Sequence, residues 1–334
     1  MALFGKKGRR IIIDNRILKS RKDLSDDDIW RLQFRANLMI KVSKIVSICV
    51  MAALALYILI WDRDMLARGN LIEQLVIAVL SIALCGIGAN ELIYQLIAKR
   101  IEGSFWTAYR QQYLINMASC TPGVDFVTYK EEPGLSYEEI RASVLVLCKY
   151  DKLCNSQDCL YGEMLGDNYR ITNFKAGVPK RKGNGKMGEL TIFRGILGMI
   201  WDGENNCLSK LGFMQIFSKD YSPKVAGFTA EYEFETGIED FDENFKAYVE
   251  KPDLLDDFFN QNLIDALKKL ENILKCPFAL SFNSGTMFIA INGYHDIFEA
   301  KLDESVAEQK EEVQILINAM VAAKNVYDIA REQS

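Results

Sequence analysis

The sequence predicts an α+β protein in which a two-helix transmembrane hairpin precedes a cytoplasmic domain of antiparallel strands flanked by helices. Three observations predict it: an uncharged apolar stretch at residues 45–61, a second apolar stretch at about residues 72–93, and short alternating segments enclosed by helical ones further along. The chain therefore divides into a basic cytoplasmic head and stalk helix (1–44), the hairpin (45–98) and a cytoplasmic α+β domain (99–334).

The first apolar stretch reads IVSICVMAALALYILIW, 17 residues without a charge. As a helix it covers about 25 Å of a hydrocarbon layer about 30 Å thick. A soluble helix of this length normally keeps a polar stripe, and this one has none. The second stretch contains Gly86 and Gly88, which permit close helix approach in a hairpin or between copies of the chain.

The charges around the two spans predict the topology. Lys41 and Lys44 precede the first span, and Lys99 and Arg100 follow the second. Because basic residues concentrate on the cytoplasmic side, we expect a multi-pass protein of the cell inner (plasma) membrane with both termini in the cytoplasm. Residues 62–70 then form the extracytoplasmic connector.

The charge balance is uneven along the chain. Residues 1–44 carry 12 Lys and Arg against five Asp, a net charge of +7. Because the whole chain has a net charge of −5, the remaining residues carry −12. An acidic body argues against a nucleic-acid-binding domain, since phosphate neutralisation needs a basic surface. The partners expected are the lipid bilayer and another protein or a second copy of this chain.

The elements of the soluble domain follow from caps, periodicity and turns. Ser25 with Asp28 and Ser136 with Glu139 have the capping-box pattern of helix starts. Short alternating stretches from residue 160 to 232 predict antiparallel strands. Further predictions are a helix of residues 136–147, an amphipathic helix of residues 253–275, a hairpin turn at residues 283–285 and a long helix of about residues 305–331.

At this point the chain resembles a bacterial membrane-anchored family catalogued as domain of unknown function 3137. The matching blocks are GEMLGDNYRITNFKAG after Tyr161, TIFRGILGMI, IEDFDENFKAYVEKPDLLDDFFNQNLIDALKKL and FALSFNSGTMFIAING. They are patterns of strand, turn and helix, so the resemblance implies a shared fold and brings no reaction or cofactor. Within its acidic, aromatic motif, Glu239, Phe241 and Phe245, the two phenylalanines are interpreted as core residues.

Several motifs are weak candidates for chemistry. Gly183, Gly185 and Gly188 spell G-x-G-x-x-G, but a basic run precedes them and a strand follows, so a hairpin loop is favoured over a nucleotide site. His295 beside Asp296 is interpreted as a surface turn residue. Carboxylates are plentiful, and we interpret the main groups as solvated: Asp256 and Asp257, and Glu231, Glu233 and Glu235 along one strand face.

Eight cysteines occur, and none of their spacings is a dense secreted framework, so we expect reduced thiols. Cys148, Cys154 and Cys159 lie close in sequence, but their spacings do not suit a structural zinc site. Whether they come together in space is left open. No catalytic, cofactor-binding or metal-binding residue is assigned.

These observations favour a non-enzymatic, membrane-anchored interaction or scaffolding module. Two alternatives stay open. One is an enzyme with an unrecognised carboxylate or thiol site, which would require those groups to converge in a pocket. The other is an oligomeric pore that uses Asn90 and Glu91, provided that Glu91 is submerged rather than interfacial.

Overall fold

The computed structural model describes most of the chain from residue 25 onward. The described residues are 25–61, 76, 79–80, 83–88, 91, 99–131, 134–149, 151–181, 183, 187–202, 212–222, 232–255, 258–294 and 296–333. Most of the predicted basic head and the predicted connector at residues 62–70 lie outside them.

Two helices among the described residues begin where the capping boxes predict. The helices in this part of the chain are α1 (Asp26–Trp61), α2 (Lys99–Ala108), α3 (Leu114–Ser119), α4 (Tyr137–Ser143), α5 (Glu239–Asp242), α6 (Gln261–Leu274) and α7 (Val306–Glu332), with a π-helical turn, Tyr109–Tyr113, between α2 and α3. Capping boxes form at Ser136 and Ser305. At Ser25, the backbone N–H of Asp28 donates to the hydroxyl at 3.2 Å, so both predicted caps are confirmed.

Among the described residues, nine strands form one antiparallel sheet. They are β1 (Val124–Lys130), β2 (Cys154–Met164), β3 (Asp167–Arg181), β4 (Met187–Trp201), β5 (Met214–Ser218), β6 (Tyr232–Phe234), β7 (Phe245–Val249), β8 (Phe278–Asn283) and β9 (Thr286–Asn292). Their order across the sheet is β1-β2-β3-β4-β9-β8-β5-β7-β6. The predicted α+β class is confirmed, and the turn between β8 and β9 lies at residues 284–285 as predicted.

Side chains alternate between two cores on opposite faces of the sheet. In β4, Ile196 and Ile200 belong to the larger core, and Phe193 and Leu197 belong to the smaller one. Helices α6, α7 and α3 and the start of α1 pack on the larger core, whereas α4 and the segment after it cover the smaller one. Both faces of the central strands are therefore buried, which explains their continuous apolar character.

The helix α1 is the one helix among the described residues that is long and apolar enough to cross a membrane, over Asp26–Tyr57. Little of its apolar stretch is buried by the rest of the protein. The second predicted span is described only at residues 76, 79–80, 83–88 and 91, all helical.

Two predicted helices have different limits in the structure. The helix expected to continue to residue 147 ends at Ser143, because Val144 takes a left-handed conformation at φ 53°. The helix expected from residue 253 begins at Gln261, since Asn260 caps it by accepting from the Leu263 N–H at 3.1 Å. Those two boundary predictions are wrong. The short strand β1 was not expected from the sequence.

Candidate functional site

The start of α1 is fixed to the α+β domain by a buried amide. The Nε2 of Gln33 donates to the backbone oxygens of Lys301, Leu302 and Glu304 at 2.9, 3.2 and 2.6 Å. One turn later, Asn37 donates to the Leu302 oxygen at 2.6 Å. Gln33 is buried in the same stripe as Ile29 and Ala36. Because α1 is one continuous helix, these contacts set the direction in which its apolar part leaves the domain.

A second contact holds the first turn of α1. The Asp26 carboxylate accepts a hydrogen bond from the Tyr113 hydroxyl at 2.6 Å and forms an ion pair with Lys310, whose Nζ lies 3.0 Å away. The bond from Tyr113, with help from Lys310, lowers the pKa of the Asp26 carboxyl below its ordinary value. The start of α1 is thus joined to both the π-helical turn and α7.

The second apolar stretch contacts α1 at Gly86. The Ser47 hydroxyl donates to the Gly86 oxygen at 2.7 Å. A Cβ added to Gly86 would lie 2.1 Å from Cγ of Met51, whereas one added to Gly88 would meet nothing within 4 Å. Gly86 is therefore the glycine that allows this close helix contact, as small residues do between membrane helices.

An open groove runs along the outer side of α7, with the C-terminal half of α6 as one wall. Its volume is about 810 Å³. Half-buried apolar side chains line it at Ile273, Ile315 and Val321. The groove reaches from Glu312 to Asn325 along α7, about 20 Å at the rise of an α-helix.

Polar and charged groups form the rim of this groove. The exposed amides of Asn272, Asn318 and Asn325 can both donate and accept hydrogen bonds. Lys269 and Lys275 stand exposed on the α6 wall. On the opposite side, Lys301 is shared by two carboxylates, with its Nζ 2.6 Å from Glu304 and 3.5 Å from Glu312. The positive charge of the rim therefore lies on the α6 wall.

A cluster of partly buried carboxylates surrounds Arg110 on the same side of the sheet. Arg110 lies 3.6 Å from Asp158 and donates through Nε to the Phe298 oxygen at 2.8 Å. Tyr129 donates to Asp158, and Asn173 donates to Asp296. Burial raises the pKa of both aspartates, and the nearby charge of Asp158 adds to the rise at Asp296.

This cluster connects three elements of the fold. Its guanidinium joins the π-helical turn to β2 and to the segment after β9. A smaller cavity of about 350 Å³ adjoins it, lined by Arg194, Asp296, Glu299 and Lys301 among others. Within the described residues, no group of three His, Cys, Asp or Glu side chains is placed to hold a metal ion.

Two of the predicted thiols form a disulfide, so the expectation of reduced cysteines is wrong for them. Cys148 and Cys154 are bonded, with their Cα atoms 6.0 Å apart, within the usual disulfide range. They meet because α4 ends early and the chain turns back into β2. Cys159 lies five residues further along β2, where burial raises its pKa to about 12. The three sulfurs do not share one site.

The remaining candidates lie apart from the groove. Phe241 and Phe245 are core residues, with ring centroids 5.5 Å apart, so that interpretation is confirmed. Glu233 is paired with Lys246 at 3.1 Å on the sheet edge. Glu91 is helical and exposed. The positions Asn90, Gly185, Glu231, Asp256, Asp257 and His295 lie outside the described residues.

Comparison with known families concerns the C-terminal part of the domain. Residues 207–329 match a family described as "Protein of unknown function (DUF3137)". Over these residues the chain is similar to that family. The DUF3137 segment contains β5–β9, α5, α6 and most of α7, and hence both walls of the groove. The sequence blocks of residues 161–200 precede it. No curated protein and no solved structure matches the chain.

Proposed function

We propose that this chain is a membrane-anchored docking module, in which α1 holds the α+β domain at a bilayer surface and the groove between α6 and α7 binds a helix of another protein. The observation that carries the proposal is the groove itself. It is lined by the half-buried apolar side chains of Ile273, Ile315 and Val321 and by the exposed side chain of Leu165. Amphipathic helices bind in such grooves by laying their apolar stripe inside.

The charges of the rim define the partner more closely. Lys269 and Lys275 complement a helix with acidic residues beside its apolar stripe. A length of about 20 Å accommodates roughly 13 residues, or nearly four turns. Three asparagine amides on the rim can bond the polar flank of such a helix.

The anchor is proposed as a two-helix transmembrane hairpin. The contact of Gly86 with Met51 and the hydrogen bond from Ser47 support antiparallel packing of the second apolar stretch on α1. The basic residues on the domain side of both spans support a cytoplasmic domain at the inner membrane. The bond between Cys148 and Cys154 is typical of an oxidising compartment, and a cytoplasmic pair would be held as thiols. The redox state of this pair in the cell therefore tests the topology.

Site-specific photo-crosslinking in the native cell tests the docking proposal. A photoreactive residue replaces Asn318 in the groove, and the matched control replaces Asn262, which is exposed at the start of α6. We expect Asn318 alone to capture one protein, through a peptide with apolar residues at helical spacing and an acidic flank. Ile315→Asp and the pair Lys269→Glu and Lys275→Glu should both abolish the product. Identical products from the two sites, no product, or a product that survives both variants would contradict the proposal.

A further inference from the structure

The strands β3 and β4 extend beyond the sheet as a two-stranded projection, here termed the β-arm (residues 177–181 and 187–191). The pairing of β4 with β9 covers Gly195 to Trp201, and that of β2 with β3 ends at Ala176. Beyond these points, the register runs from Gly177 opposite Thr191 to Arg181 opposite Met187. Within the described residues, the β-arm is therefore held by its own two strands.

The surface of the β-arm is basic and apolar together. Lys180 and Arg181 are exposed near its end. Met187, opposite Arg181, is 68% exposed, and Leu190 is 44% exposed. The charge of Glu189 is compensated by Lys175 at 3.0 Å, so the end of the β-arm is positive. Basic residues beside exposed apolar ones form the composition that rests at a membrane interface.

The β-arm leaves the sheet at the end from which α1 departs. Arg194 lies at the base of the β-arm, and its backbone oxygen accepts a hydrogen bond from the Gly293 N–H at 2.8 Å. Arg194 also lines the 350 Å³ cavity, together with Lys301. The Lys301 oxygen in turn accepts from Gln33 of α1. The opposite end of the sheet carries the turn between β8 and β9, where Tyr327 of α7 donates to the Gly285 oxygen. One cavity thus separates the base of the β-arm from the helix that enters the bilayer.

We infer that the β-arm binds the anionic headgroups of the bilayer that α1 enters. The inference rests on the proposed membrane anchor and adds a second, electrostatic contact to it. Lys180 and Arg181 supply the attraction to anionic lipid, and Met187 and Leu190 supply apolar contact at the headgroup boundary. Two contacts, one helix and one arm, would hold the domain in a fixed orientation on the surface.

Hydrogen–deuterium exchange of the full chain in lipid nanodiscs tests the inference. One set of discs contains phosphatidylcholine alone and the other about a third phosphatidylglycerol. Amide exchange in the β-arm should slow several-fold in the anionic discs only. Removing one basic residue should lower the bound population roughly fivefold, so Lys180→Gln with Arg181→Gln should abolish the difference. Raising the salt concentration should also weaken it, because screening shortens the reach of surface charges.

The controls separate this inference from the anchor. Arg141→Gln with Lys251→Gln removes two exposed charges near the opposite end of the sheet and should leave the difference unchanged. Arg181→Lys keeps the charge and should retain most of it. A chain that does not enter discs would refute the anchor. A chain that enters discs with equal β-arm exchange in both lipids, or with protection that survives Lys180→Gln and Arg181→Gln, would refute the lipid contact alone.

Discussion

Replacing Gly86 with leucine is expected to force the second apolar stretch away from α1. A Cβ at this position would lie 2.1 Å from Cγ and 2.2 Å from Sδ of Met51, so the methionine stem has to move or the helices have to separate. Overpacking of this kind costs about 1–3 kcal/mol, and the bond from the Ser47 hydroxyl to the Gly86 oxygen is lost with it. We expect a loss of about 2–3 kcal/mol in the free energy of unfolding.

The matched control is Gly88→Leu, because a Cβ on Gly88 meets nothing within 4 Å. Both variants add the same apolar volume to the same segment. The assay is thermal unfolding of the full chain in mild detergent, in which Gly86→Leu should lower the midpoint by roughly 5 °C and Gly88→Leu should leave it near that of the parent. Equal midpoints for the two variants would refute the close packing of this stretch on α1.

Three further changes test how the domain is held together. Gln33→Leu should lower the free energy of unfolding by denaturant by about 1–2 kcal/mol, because its hydrogen bonds to the backbone carbonyls are lost. The control, Arg35→Leu at an exposed position of the same helix, should change the free energy of unfolding little. Asp26→Asn should destabilise the chain at pH values above the ordinary Asp pKa and make no difference well below it. The reason is that the pKa of Asp26 is lowered in the folded chain, so the stabilisation from its charge is lost as the pH falls. The free energy of unfolding, measured across the acidic range, checks this. Serine at both Cys148 and Cys154 should lower the unfolding free energy by about 2 kcal/mol, as expected for so short a closed loop, and reductant should have no further effect on that variant.

Local signals explain which elements the sequence predicts correctly. The starts of α1 and α4 are marked by Ser25 and Ser136, each of which accepts a hydrogen bond from the backbone N–H three residues further along the chain. The hairpin turn at residues 284–285 and the α+β class follow from equally local patterns. Where a signal depends on more distant groups, the prediction fails: Val144 ends α4 although its apolar spacing favours helix, because residues of the smaller core hold the chain after it.

The candidate site could not be read from the sequence. The groove depends on packing between α6 and α7. The cluster around Arg110 depends on contacts between distant segments, such as the hydrogen bond from Arg110 to the Phe298 oxygen 188 residues further along the chain. No periodicity or spacing encodes such contacts. The disulfide between Cys148 and Cys154 also depends on the fold. The sequence shows the spacing of the two cysteines, but it does not predict the early end of α4 that brings their sulfurs together.

The most direct measurement is extraction of native membranes at alkaline pH, followed by protease treatment of sealed vesicles of known orientation. If α1 crosses the bilayer and carries the domain on its cytoplasmic surface, the chain stays with the lipid after extraction, and protease removes the domain only when the cytoplasmic face is outside. Release of the chain into the alkaline supernatant would contradict membrane anchoring. Digestion of the domain from the other face would contradict the proposed topology.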